Sequence, residues 1–356
     1  MRASEINLLQ FIRRAPQFVI PIYQRHYSWG KVQWEQLWED VLYAGQNEAI
    51  DTHFIGPIVY IANNVAMVAR PEALSVIDGQ QRLATSTLFI AALAQYFKEH
   101  ELDELVDGFS ARKLRNFYLV NPEEEGSDRY YKLILSPDDK DTLLALLGHG
   151  LMPQNAISLL QNGFRFFKEK IQQHSENLES ICRGLAKLSI VEVALDRAHD
   201  KPQLIFESMN STGLDLSQAD LIRNYILMDL EQNEQKRIYK RYWRPMEEAF
   251  GSEAYVTHFD PFMRHYLTVK IGDIPNKGDV YTTFKRYVQN AHSEGLTIQD
   301  LAADIHRYAT YYRAIALGAV EDINLKRAFN DLHKLNVGVA YPFLLKVYHD
   351  YEQKKC

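Results

Sequence analysis

Ala73-Leu74-Ser75-Val76-Ile77, then Asp78-Gly79-Gln80-Gln81-Arg82, then Leu83 to Ala94 reading LATSTLFIAALA, is the stretch from which the rest of the chain can be ordered. The first part is an apolar run of strand length, and the third contains no charged residue, so both flanks are expected to be buried on most sides. The polar pentapeptide therefore falls where a buried strand ends and a buried helix begins. Unpaired amides and the positive end of the helix dipole make such a junction a natural anion site. Gly79 removes a side chain and permits positive φ, while Arg82 offers a planar fork of donors to a phosphate. The plainer alternative keeps Asp78 as an N-cap, Gly79 as a turn residue and Arg82 as a surface charge. Against it stands the setting, because inward-facing glutamines and an arginine among apolar neighbours require partners.

Working outward, Phe18 to Ile22 reads as a short strand that runs into Tyr23-Gln24-Arg25-His26-Tyr27-Ser28-Trp29, a second polar and aromatic insert. Tyr23 and Tyr27 suit core aromatics with wet hydroxyl ends. Pro202 to Met209 reads as a short helix ending at Asn210-Ser211-Thr212-Gly213, and Ser217 then caps a helix on which Asp220, Arg223 and Asn224 share a face. An intrahelical Asp-Arg pair is the plain account of that face.

These three stretches together resemble the N-terminal domain of GmrSD-type modification-dependent restriction endonucleases and the SspE-like phage-defence proteins. Asp78 to Arg82, followed by Leu83 and Thr85, is similar to the family's DGQQR signature. Ile20-Pro21-Ile22-Tyr23-Gln24-Arg25-His26-Tyr27-Ser28-Trp29 resembles its opening motif, and Phe206 to Ser217 continuing through Asp220-Leu221-Ile222-Arg223-Asn224-Tyr225 resembles its third block. The resemblance covers roughly residues 15 to 230. It implies an α+β fold, a small mixed sheet like that of ParB and sulfiredoxin with packed helices, followed by a mostly helical C-terminal region. It implies a nucleoside triphosphatase with Asp78, Gln81 and Arg82 as catalytic candidates, and Tyr23, Gln24, Arg25, Gly79, Gln80, Asn210, Asp220 and Arg223 as nucleotide-binding candidates. Magnesium, held by Asp78, is the expected cofactor. The sulfiredoxin reaction needs a cysteine in this turn, where Gln80 and Gln81 stand, so reductase activity is not expected. The resemblance also implies modified or foreign DNA as partner, and an HNH-type nuclease as a C-terminal domain or a separate protein. No nuclease site is expected here, since His258-Phe259-Asp260-Pro261 has only a superficial His-x-x-Pro form. The alternative is a non-catalytic nucleotide or DNA sensor.

Bulk properties bound these expectations. With 356 residues, 46% of them hydrophobic, the chain is long enough for a substantial core. A net charge of -6 argues against coating nucleic acid non-specifically, so DNA contact requires a local patch. Lys236, Arg237, Lys240, Arg241 and Arg244, interleaved with Tyr239, Tyr242 and Trp243, offer one at helical spacing, although a solvated helix face is the commoner use of such a run. Cys182 and Cys356 join no CxxC or Cys/His cluster, which suggests neither a disulfide framework nor zinc. No run approaches the ~18 apolar residues of a membrane span, and Arg2, Glu5, Arg13 and Arg14 interrupt the N-terminus. A cytoplasmic location without a membrane partner is expected.

Further expectations are a helix over Ser4 to Arg14 capped by Ser4, a helix over Lys31 to Gln46, and a hairpin of His53 to Ala62 with Val65 to Ala69 around Asn63-Asn64. Gly56-Pro57 suggests a bulge. Helices are expected over Pro137 to Leu147, Ala156 to Gln173 and Asn177 to Lys187, and Leu188 to Leu195 reads as a strand returning to the sheet. A nucleotide-binding domain is thus expected over 1–230, with its core at about 15–100 and a returning 188–225 segment, followed by a helical domain over 231–356.

Overall fold

The computed structural model describes residues 1–62, 73–148, 150–196, 199–210, 216–334 and 338–353. The chain divides into two compact units, 1–206 and 207–356. The first opens with β1 (Arg2–Asn7), α1 (Leu8–Arg14), β2 (Phe18–Val19), α2 (Lys31–Gln46), β3 (His53–Ala62), β4 (Leu74–Asp78) and α3 (Gln80–Glu99). It continues with α4 (Ala111–Leu114) running into a π-helical turn (Arg115–Leu119), β5 (Leu133–Ile134), α5 (Pro137–Leu146), α6 (Ser158–Gln173), α7 (Leu178–Lys187) and β6 (Leu188–Asp196).

The six strands form one mixed sheet in the order β1-β6-β3-β4-β2-β5. Neighbours β6/β3, β4/β2 and β2/β5 are parallel, whereas β1/β6 and β3/β4 are antiparallel. An α+β fold built on a mixed sheet was expected, and so was the return of β6. Its register against β3 shifts between Phe54 and Pro57, at the Gly56-Pro57 step. The expected turn at Asn63-Asn64 and strand over Val65 to Ala69 lie outside the described residues.

The N-terminus differs from its reading. Arg2 to Asn7 is an edge strand on β6, and only Leu8 onward is helical, capped by the Asn7 side chain accepting from the Gln10 amide at 3.1 Å. Arg2 to Glu5 are exposed and show no strand-like alternation, so the β6 ladder, a long-range partner, decides their conformation.

Helix α3 is the centre of the unit. Sixteen of its 20 residues are buried, which marks a core helix enclosed on most sides rather than an amphipathic surface helix. Phe89 stacks on Phe167 of α6 at 5.0 Å and meets Trp38 of α2 at 5.8 Å. Helices α2 and α7 cross where Gly45 faces Gly184. A Cβ at Gly184 would fall on the Val41 carbonyl, and one at Gly45 on the Ser180 carbonyl. Both obstacles are backbone, so Gly184→Ala is expected to cost about 3 kcal/mol through overpacking. A lower urea midpoint is the readout, and an unchanged midpoint would mean that the helices can part.

The second unit is helical. Helix α8 (Pro202–Asn210) crosses the division at 206, and α9 (Gln218–Leu227), α10 (Gln232–Ile238), a π-helical turn (Tyr239–Trp243), α11 (Arg244–Phe250) and α12 (Ser252–Ile271) follow. They are joined by α13 (Val280–Ser293), α14 (Ile298–Leu317), α15 (Ile323–Lys334) and α16 (Tyr341–Glu352). Its core is aromatic, with Trp243, Phe259, Phe262, Tyr266 and Tyr312 buried. The expected boundary after 230 is not where the compact units divide. Strand β6 is the last of the sheet, so the 188–225 segment is split between them. Among the described residues no helix is long and apolar enough to cross a membrane.

Candidate functional site

Strand β4 delivers Asp78 to the turn, and Gly79 reverses the chain into α3 with φ 84° and ψ 9°, the left-handed region. A Cβ on Gly79 would also lie 2.8 Å from the Pro57 carbonyl oxygen and 3.0 Å from Ile58 Cγ1. Glycine is therefore required by both conformation and space. As N-cap it supplies no side chain, and the first turn of α3 contains no acidic residue. Among the described residues no side chain caps the leading amides of this 20-residue helix, at the positive end of its dipole.

Arg82 lies back across β3. Its Nη1 donates to the Pro57 carbonyl, and its guanidinium fills the space that a side chain at Gly56 would need. Gly56 has φ 114°, so the bulge at Gly56-Pro57 serves as the seat of this arginine. Among the described residues the buried Arg82 Nε has no hydrogen-bond partner. Burial lowers the guanidinium's pKa, and the neighbouring Asp78 carboxylate acts in the opposite direction. Among the described residues the Asp78 carboxylate makes no hydrogen bond or salt bridge.

The glutamines answer a different need. Gln80 Nε2 donates to the Arg25 carbonyl at 3.1 Å, and Gln81 Nε2 donates to the His26 carbonyl at 3.0 Å. Gln81 Oε1 accepts from the amides of Ser28 at 2.8 Å and Trp29 at 3.3 Å. Gln24 Nε2 reaches the other way, to the Ile77 carbonyl at 2.9 Å. The first two motifs therefore interlock through side chain to backbone bonds, which bring the 23–29 loop against the start of α3. Tyr27 completes the clamp from within the core. Its hydroxyl lies 2.7 Å from Thr85 Oγ1 and accepts from Trp34 Nε1 at 2.7 Å, and burial pushes its pKa up to about 12. Tyr23 is buried and Arg25 is half-buried.

Gln81→Leu keeps the bulk but leaves the Ser28 amide and the His26 carbonyl unmatched, at an expected cost of about 1–3 kcal/mol. Faster hydrogen exchange at the Ser28 and Trp29 amides is the expected readout. Exchange at the original rate would mean that the loop is held by other contacts.

One residue of this frame went unrecognised in the sequence. Asp139, 2% exposed, accepts from the Tyr27 amide at 2.7 Å and from Ser136 Oγ at 3.1 Å, while its Oδ1 has no partner. Burial raises its pKa. Ser136-Pro137-Asp138-Asp139 reads as an ordinary helix start, so only the long-range Tyr27 contact distinguishes it. His26, on the same loop, lies 3.7 Å from Asp138 through Nε2.

The third motif belongs largely to the second unit. Ser217 caps α9 as expected, accepting from the Asp220 amide at 3.0 Å. Arg223 is held between Asp220, at 2.8 Å, and Glu247 of α11, at 2.6 Å, with a side chain only 3% exposed. The Asp220–Arg223 pair of the plain reading is therefore present, with a second carboxylate added. The side chain of Asn210 and residues 211–215 lie outside what the structure describes. Asp260 caps α9 from α12, accepting from the amides of Gln218 and Ala219 at 3.1 and 2.7 Å, which gives the His258 to Pro261 stretch a packing role. His258 and His265 share a face, and both pack on the Tyr312 ring.

The basic run also keeps its expected face. Lys236, Arg237, Lys240 and Arg241 are exposed while Ile238, Tyr239 and Trp243 are buried, and Arg244 pairs with Glu248 at 2.7 Å. Among the described residues no three His, Cys, Asp or Glu side chains converge to hold a metal. A magnesium ion bound by one carboxylate and by ligand phosphates needs no such cage, and Asp78 fits that donor set.

A family model described as the N-terminal domain of the GmrSD restriction endonuclease matches residues 6–227, a span that contains all three motifs. A search of curated proteins gave no match to the chain.

Proposed function

Because the chain belongs to the family of GmrSD restriction endonuclease N-terminal domains, we propose that it is the nucleotide-handling part of a restriction system, hydrolysing a nucleoside triphosphate at the α3 turn. The observation that carries this reading is the uncapped start of α3, bordered by an Asp78 carboxylate with no hydrogen bond or salt bridge among the described residues and by a half-buried Arg82 whose Nε is a spare donor. Oriented amides and a guanidinium offset phosphate charge without reorganising, which is most of what phosphoryl transfer requires. In this reading the Gln80 to Arg82 amides and the Arg82 side chain take the phosphates, with Arg25 at the rim. Gln24, Gln80 and Gln81 keep the frame in register rather than touch the reacting atoms.

Water attacks the terminal phosphorus, the bond to the bridging oxygen breaks, the nucleoside diphosphate leaves with that electron pair, and the water's proton ends on the released phosphate. Asp78 orients the water or holds magnesium, which when bound neutralises phosphate charge. The Arg223 ion pairs favour a structural role for Asp220 and Arg223 in the second unit. Modified or foreign DNA is the proposed trigger, with the exposed Lys236 to Arg241 face as its phosphate contact, and an HNH-type nuclease the proposed effector.

A second reading, nucleotide sensing without turnover, draws on Gln81 having both ends of its amide committed to the loop. Phosphate release from ATP, GTP, CTP and UTP with magnesium, with and without DNA, separates the two. Turnover supports hydrolysis, and thermal protection by nucleotide without turnover supports sensing. Neither signal would contradict both.

A further inference from the structure

A cleft of about 960 Å³ opens on the first unit between the C-terminal half of α3, the α4–π-turn segment and the end of α5. At 1.5 Å per residue its α3 wall, Ala91 to Lys98, lies about 18–28 Å along the helix from Gly79, so it is separate from the α3 turn. The volume is that of a small-molecule site. Ala91, Ala94, Ala111 and Ala145 contribute apolar surface to its lining.

The rim is cationic and amidic. Lys98 and Arg112 have no hydrogen bond or salt bridge among the described residues, and neither does the amide of Asn116. Arg115 is partly engaged, donating to the Leu147 carbonyl at 3.0 Å. The carboxylate at the rim, Glu99, is held by Lys168 at 2.8 Å and by Gln95 Nε2 at 2.6 Å, which leaves Gln95 Oε1 as an acceptor. The π-helical turn carries Arg115, Asn116 and Leu119 on the cleft side, and such turns concentrate at functional sites.

We propose that this cleft binds a nucleoside phosphate. The flat ring lies against the lining alanines, Asn116 and Gln95 Oε1 meet its polar edge, and Lys98 and Arg112 take the phosphate. A free nucleotide and a nucleotide within a nucleic-acid strand present the same chemistry. Lining alanines, amides able to meet a polar edge and unpaired cations together favour this class over a bare anion, which would leave the alanines and the amides unused.

The test is titration calorimetry on the full chain in an Arg82→Ala background, so that any binding at the α3 turn is weakened independently. The probes are the four nucleoside monophosphates, a 12-nucleotide single-stranded DNA and inorganic phosphate. At least one nucleotide probe is expected to bind, with a loss of at least 10-fold in Lys98→Ala/Arg112→Ala and a measurable loss in Asn116→Leu, at unchanged thermal stability. Mononucleotide binding as tight as that of the strand would identify a free nucleotide. Much tighter, salt-sensitive binding of the strand would identify nucleic acid. The proposal is overturned if no nucleotide probe binds, if the Lys98/Arg112 variant binds as tightly as its parent, or if inorganic phosphate competes as well as the nucleotides do.

Discussion

On the proposed reading of the α3 turn as a nucleotidase, Arg82→Gln is expected to lower turnover by about 100-fold or more, the usual effect of removing one preorganised donor from a phosphoryl-transfer or oxyanion site. The substitution removes a charge that the fold goes to some length to place. Gly56 is bare where the guanidinium lies, Pro57 accepts from it, and Asp78 is close enough to oppose the loss of its proton. A glutamine retains a donor for the Pro57 carbonyl, so folding should survive, and circular dichroism with thermal unfolding checks that. Turnover by the folded variant at the parent rate would remove Arg82 from the chemistry and leave it as a strut between β3 and α3. Turnover lost together with the fold would be uninformative for this substitution, and Arg82→Lys, which preserves the charge, then decides through its rate.

The second large effect is on stability. Arg223→Met is expected to destabilise the chain by about 3–5 kcal/mol, because it leaves two carboxylates without their shared cation in a buried place. Burial works to lower the pKa of the Arg223 guanidinium, and Asp220 and Glu247 more than reverse that, so the net shift is upward. Glu247 is further tied to Tyr239, whose hydroxyl donates to it at 2.9 Å. The triple variant Arg223→Met/Asp220→Asn/Glu247→Gln should recover much of the loss, since it removes the stranded charges as well. Differential scanning calorimetry reads both. A variant with normal stability and abolished nucleotide binding would instead place Arg223 at the ligand, as the family resemblance implies.

The central part of the fold was legible because local and global preferences agree there. An apolar strand, an Asp-Gly step and an uncharged helix leave little choice, and β4, Gly79 and α3 follow that pattern. The requirement that Gln80 and Gln81 find partners was also readable. The partners themselves were not, because they are backbone groups of residues 25–29, more than fifty positions away. The same limit explains β1. Its exposed, non-alternating residues carry no strand signal, and the β6 edge that captures them lies at the far end of the unit. Asp139 was hidden by a capping pattern that satisfied its sequence context completely. Gly56 was read as a bulge, and its second task, making room for Arg82, exists only once β3 and α3 are packed together.

The most direct test of the α3 turn is an NMR titration of a non-hydrolysable nucleoside triphosphate into chain labelled with ¹⁵N at glycine and glutamine, with magnesium present. The Gly79, Gln80 and Gln81 amides are expected to shift together and saturably, with the response lost in Arg82→Gln. If those three amides remain unmoved at saturating nucleotide, the phosphates are not at the start of α3.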